Sequence, residues 1–149
     1  MELNCEVVVG MIERGGRTYL KHVPDTGRKT LLDQIQKTVS TNARLITDQN
    51  PSYKYLSRLG YAHQSVNHSE KEFVRGDIHT NSIEGIWSHL KKGIAAVYIQ
   101  VSKKHLNKYC DEYSFRFSTR KLTDFERFAY WFDYCVNKRL KYGALIRNG

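Results

Sequence analysis

No apolar run in this sequence approaches the roughly 18 residues needed to span a bilayer, and the opening Met-Glu-Leu-Asn-Cys-Glu has none of the features of a signal peptide. The reading is therefore a soluble, intracellular protein with no membrane partner. Cysteine is scarce: Cys5, Cys110 and Cys135 are odd in number and form no Cys-x-x-Cys pair. That excludes a disulfide framework and a cysteine zinc site, and leaves three core or near-core thiols. Internal repeats, linkers and low-complexity stretches are also missing, and 149 residues leave no room for two full domains. A hydrophobic content of 40% and a charged content of 26% fit one ordinary globular domain. Acidic charge falls well short of basic charge. The net charge is +9, and residues 91 to 121 alone carry eight Lys or Arg against Asp111 and Glu112. A basic surface of that density points to a polyanion partner.

Cys5 to Glu13, Cys-Glu-Val-Val-Val-Gly-Met-Ile-Glu, is a short run rich in β-branched residues and predicts a buried strand. Arg14-Gly15-Gly16-Arg17 predicts a hairpin turn and Thr18 to Val23 the returning strand. Leu31, Leu32, Ile35 and Val39 keep helical spacing across Lys29 to Val39. Ala43 to Thr47 predicts another strand, ending in Asp48. Asn50 and Pro51 open a helix to about Leu59, stopped by Gly60. His63 to Val66 is a candidate strand and Asn67 to Ile78 a polar loop. His63, His68 and His79 have no regular ligand spacing, which argues against zinc.

The stretch His79 to Lys91 opens an amphipathic helix. At 100° per residue Ile83, Ile86, Trp87, Leu90, Ile94 and Val97 form an apolar stripe, and Asn81, Glu84, Ser88 and Lys91 share its flank. A solvated helix flank has the same pattern, so this spacing by itself leaves both readings open. Asp48 is open in the same way, since an acid between a strand end and a helix start is either a turn residue or a ligand at the sheet edge. Ser102 is positioned to cap a helix to about Phe115, with Leu106, Tyr109, Cys110 and Tyr113 inward. Thr123-Asp124-Phe125-Glu126 is a capping-box pattern for a last helix, whose apolar positions are Phe125, Phe128, Ala129, Phe132, Val136 and Leu140. The expected architecture is mixed α/β, with residues 1–121 as the main body and 122–149 as a helical extension.

Six segments together identify a family: Val8-Val9-Gly10-Met11-Ile12-Glu13-Arg14-Gly15-Gly16, Ile46-Thr47-Asp48, Val66-Asn67-His68-Ser69, His79-Thr80-Asn81-Ser82-Ile83-Glu84-Gly85-Ile86-Trp87, Val101-Ser102-Lys103-Lys104-His105-Leu106 and Phe115-Arg116. In this order they resemble the ISXO-like group of bacterial insertion-sequence transposases. The resemblance implies a ribonuclease-H-like fold with a mixed sheet, divalent metal (Mg²⁺ or Mn²⁺), DNA cleavage and strand transfer, and transposon ends and target DNA as partners. It also implies a homo-oligomer or an assembly with full-length transposase, in the bacterial cytoplasm near the nucleoid. By the resemblance, Asp48 corresponds to the second catalytic aspartate. The third position is Glu84 or Asn81, and Glu84 is favoured because an anionic oxygen suits Mg²⁺ better than an amide. Lys91 stands where a basic residue follows in many DDE transposases. Lys91, Lys92, Lys103, Lys104, Lys108, Arg116 and Arg120 are expected on DNA phosphates, whereas Tyr109, Tyr113 and Phe115 are expected in the core.

The resemblance places a first catalytic aspartate on a strand ahead of the Cys5 run. No such strand is expected here, and neither Glu2 nor Glu6 is assigned its role. The expectation is thus a sheet lacking its first strand, with exposed pairing groups on the Cys5 strand, in a truncated transposase that is inactive alone. The alternative from another class is a non-catalytic DNA-binding or assembly module that regulates full-length transposase.

Overall fold

The computed structural model describes residues 2–3, 6–66, 81–98, 101–136 and 138–139. Its elements run β1 (Glu2–Leu3), β2 (Glu6–Ile12), β3 (Thr18–Val23), α1 (Arg28–Thr38), β4 (Arg44–Thr47), β5 (Ala62–Ser65), α2 (Asn81–Gly93), α3 (Leu106–Ser118) and α4 (Asp124–Cys135). Short 3₁₀ turns at Pro51–Tyr55, Ser57–Leu59 and Lys103–His105 and a π-helical turn at Ile94–Tyr98 complete the described segments. The predicted 67–78 loop, Cys5, His68, His79 and Leu140 lie outside the described residues.

β2 alternates its side chains between two layers, as the period of a strand requires. Val8 and Leu20 of β3 pack with Ile86, Leu90 and Ile94, and with Leu106, Cys110 and Tyr113 of α3. Val9 and Val23 face the other way, onto Leu31 of α1. A helical layer therefore covers each face of the β2–β3 ribbon. β2 and β3 pair antiparallel from Val7↔Val23 to Ile12↔Thr18. The turn between them is where the glycines predict it, with Gly15 at φ 70°.

β3 is an edge strand, and α3 closes that edge with side chains. The backbone N–H groups of Thr18, Leu20 and His22 donate to Ser118 Oγ (2.9 Å), Ser114 Oγ (2.9 Å) and Asn107 Oδ1 (3.1 Å). Alternate strand residues thus meet a polar stripe at i, i+7 and i+11 of the helix, which leaves those donors satisfied and unavailable to another chain.

β4 and β5 form a separate parallel pair, Arg44↔Ala62 to Thr47↔Ser65. The expected mixed sheet is, among the described residues, two sheets: an antiparallel β1-β2-β3 and this parallel pair. They are joined through side chains. Met11 and Tyr53 pack against both the α1–β2 cluster and the cluster of Ile35, Leu56 and Tyr61. Tyr61 also donates its hydroxyl to the Val39 carbonyl (3.0 Å), fixing the end of α1.

Several expectations need correction. A two-residue strand does precede β2, pairing Glu2↔Val7 and Leu3↔Glu6. The segment after Pro51 winds as 3₁₀ turns rather than an α-helix, although Asn50 caps it as expected by accepting from Ser52 N–H (2.9 Å). Ser102 makes no side-chain cap, and α3 starts at Leu106. Val97 is 68% exposed, because the wider turn after Gly93 rotates the stripe away from the 100° register. The last helix departs furthest: no residue of α4 is buried.

Candidate active site and nucleic-acid interface

α2 is seated by a close approach to β2. A Cβ on Gly10 would overlap the Trp87 indole and the Ile83 side chain, so the glycine provides the space that lets the helix lie on the strand. Ile86 and Leu90 are buried beneath it. Gly93 does the same at the far end of α2, where a Cβ would overlap the Tyr113 hydroxyl. With the apolar stripe held down, Glu84, Ser88 and Lys91 remain exposed on the flank. Glu84 lies in the first turn and Lys91 and Lys92 in the last, so each charge sits at the end of the helix dipole that favours it. Asn81 is the first residue of α2, and its side chain lies outside the described residues.

Asp48 follows the last residue of β4 and is exposed. Its Oδ1 accepts from Asn50 N–H at 3.1 Å, and the Thr47 hydroxyl donates to its carbonyl at 2.8 Å. The same hydroxyl lies 2.9 Å from His63 Nε2 on β5. Burial pushes the His63 imidazole below its ordinary value, which favours the neutral ring beside β4. Burial also pushes the Tyr53 phenol up to about 12, and the nearby Asp48 charge adds to it. Asp48 is thus the acid of a turn whose other members are fixed.

Mg²⁺ and Mn²⁺ take hard oxygen donors, and Asp48 and Glu84 are carboxylates of that kind on exposed positions. Among the described residues no group of three or more His, Cys, Asp or Glu gathers to hold a metal.

Lys91, Lys92, Lys103, Lys104, Lys108, Arg116 and Arg120, the predicted phosphate contacts, are all exposed. Lys103 Nζ lies 3.2 Å from Glu6 Oε1, Arg116 pairs with Glu112 at 2.7 Å, and Arg120 donates to the Gly16 carbonyl at 3.2 Å. Glu6 also meets His22 at 2.6 Å, so this carboxylate ties β2 and β3 to the turn before α3. Tyr113 is in the core as expected, and Phe115 meets the Tyr130 ring in a tilted contact with centroids 6.0 Å apart.

One basic pair has no counterpart in the sequence reading. Arg28 and Arg58 both lie over the Tyr55 ring, at 4.3 Å and 5.3 Å from its centroid. The Tyr55–Arg58 spacing is visible in the sequence, but Arg28 joins them only through the fold. Two exposed guanidinium groups, one from α1 and one from the second 3₁₀ turn, are thus gathered by one ring.

No helix among the described residues is long and apolar enough to cross a membrane. No curated protein and no solved structure matches the chain. The model of the ISXO2-like transposase domain does match, over residues 3–118, a segment that contains β2 to β5, Asp48, Glu84 and all of α3. The chain belongs to the ISXO2-like DDE transposase family.

Proposed function

We propose that this domain carries out metal-dependent DNA cleavage and strand transfer for an insertion sequence, with Asp48 and Glu84 as the acids that hold Mg²⁺ or Mn²⁺. The observation that carries the reading is that an exposed acid at the end of a parallel strand and an exposed acid on the helix seated over Gly10 both lie inside the family segment. A ribonuclease-H-like fold is the architecture we infer, supported by an antiparallel ribbon, a helix and a parallel pair in that order.

A divalent ion held there would activate the attacking oxygen and stabilise the leaving one. The chain's own residues do the rest. Asn50 N–H orients Asp48, and the dipole of α2 favours the negative charge of Glu84 in its first turn. Lys91, with Lys92, supplies positive charge for the phosphate backbone. Lys103, Lys104, Lys108, Arg28, Arg58, Arg116 and Arg120 extend that charge. Asn81 is the alternative third member. The sequence has no aspartate before Asp25, so the first aspartate implied by the resemblance has no counterpart in these residues. We therefore expect the 149-residue chain to turn over slowly by itself.

The test is single-turnover nicking of a labelled duplex with the chain in excess, alongside DNA binding by anisotropy. Mg²⁺-dependent nicking should drop at least ~100-fold in Asp48→Asn and in Glu84→Gln, a size typical of losing a group that acts in the transition state, while binding stays within about threefold. Nicking that survives both substitutions would remove the two acids from the mechanism. Binding that collapses with Asp48→Asn would also count against the alternative, a non-catalytic DNA-binding module.

A further inference from the structure

The segments that leave the ends of β3 and β4 meet each other. α1 follows β3, the first 3₁₀ turn follows β4 and Asp48, and Arg28, the first residue of α1, lies over the ring of Tyr55, the last residue of that turn. Arg58 stands three residues after Tyr55, the spacing at which side chains of a 3₁₀ turn eclipse, and lies over the same ring. The frame beneath them is fixed. Tyr53 packs against the cluster of Leu31, Leu56 packs with Ile35, and the far end of α1 is held by the Tyr61 hydroxyl.

Charge at this place is uncompensated. Arg116 and Arg127 pair with acids on their own helices, but among the described residues neither Arg28 nor Arg58 has a carboxylate partner. The acid nearest to Arg28 in the sequence, Asp25, is turned back on its own loop, where Oδ1 accepts from Gly27 N–H at 2.7 Å. α1 has no acid in its first turn, so Arg28 also sits at the positive end of the helix dipole. Two cations gathered there repel each other, and an anion shared between them removes the repulsion. A guanidinium held over a ring keeps its N–H fork for such an anion.

We propose that Arg28, Tyr55 and Arg58 form a clamp for one phosphate of the DNA strand offered to Asp48. Asp48 Oδ1 accepts from the N–H of Asn50, which caps the 3₁₀ turn that Tyr55 ends. At about 2 Å per residue that turn spans roughly 10 Å. A strand advances about 3.4 Å along the duplex per nucleotide, so the clamped phosphate lies roughly three nucleotides from the one at Asp48. The lysines of α2 and α3 add charge along the backbone, whereas the clamp sets the register of the strand. Its placement relative to the cut rests on the reading of Asp48 as a metal ligand; the phosphate contact does not.

Lysine keeps the charge of arginine and lacks its planar fork and its stacking, so it separates a clamp from diffuse charge. Anisotropy of a labelled duplex with the full chain, without divalent metal, reads the contact. Arg28→Lys combined with Arg58→Lys should weaken binding at least about fivefold at unchanged net charge. Tyr55→Leu should weaken it by a similar factor although it removes no charge, and Tyr55→Phe, which keeps the ring, should bind as the original does. Lys37→Ala removes a cation at the other end of α1, beyond a Debye length, and should change affinity less than about twofold. Wild-type affinity in the double lysine variant overturns the clamp, and so does an equal loss in Lys37→Ala. Single-turnover nicking at saturating chain with Mg²⁺ then reads the placement: the double lysine variant should nick at least about tenfold more slowly, and an unchanged rate overturns the register role. Absence of nicking in the original chain sinks the Asp48 reading and the placement with it, while the affinities still decide the phosphate contact.

Discussion

α2 and α4 carry the same signal and end in opposite states. Each has apolar residues at helical spacing and a polar remainder. In α2 the stripe is pressed onto β2, with Leu90 0% exposed; in α4 the stripe faces water. The difference lies in what meets each face. Opposite α2 stands Gly10, whose missing side chain lets Trp87 down onto the strand. Opposite the Phe125–Phe132 stripe the described part of this chain offers no surface, and the side of α4 that touches α3 is the one bearing Arg127 and Tyr130. Periodicity shows that a face is suited to burial, and only the complementary surface shows where.

Substitutions along the two helices should separate these states. Leu90→Ala should cost about 2–5 kcal/mol, since it opens a cavity in a closed core, whereas Phe132→Ala should cost no more than about 0.5 kcal/mol in the monomer. Urea unfolding at low protein concentration measures both, and equal costs would erase the distinction. Gly10→Ala should destabilise by about 1–3 kcal/mol through overlap with Trp87. Shrinking the ring in the same chain with Trp87→Leu should recover part of that loss, which would tie the cost to the contact. Thr123→Ala removes the capping box and should cost about 1 kcal/mol, read as lost helicity at the start of α4 with the core unchanged.

A smaller effect concerns pH. The hydrogen bond from His22, helped by Lys103, holds the Glu6 carboxyl below its ordinary value of 4.5. A lowered folded value means the contact stabilises the fold above pH 4.5 and is lost as pH falls through the lowered value. Glu6→Gln should therefore lower stability in the neutral part of the curve, flatten its acid limb and leave the acid end little changed, as melting temperatures between pH 3 and 7 would show.

Much of this was legible in the residues. The β2–β3 hairpin, α1, β4 and the capping box appear where patterning places them, because each is set by local sequence: glycines in the turn, period-2 or helical spacing, and Thr123 three residues before Glu126. The closure of the β3 edge was not read from the residues, although Asn107, Ser114 and Ser118 make a visible stripe, because its meaning depends on N–H groups about a hundred residues earlier in the chain. Val97 escaped because a π turn breaks the period that placed it. Asp48 and Glu84 were named by resemblance, with their exposed positions then supplied by the fold. The Arg28–Tyr55–Arg58 cluster needed three elements brought together, which no spacing reveals.

The central claim is that Asp48 and Glu84 bind one divalent ion between them. Water-proton relaxation during a Mn²⁺ titration of the full chain tests it directly, with Glu13→Gln as a control at an exposed acid outside the site. The account predicts at least tenfold weaker Mn²⁺ binding in Asp48→Asn and in Glu84→Gln, little further loss in the double variant, and no change in the control. Wild-type affinity in either single variant would contradict it.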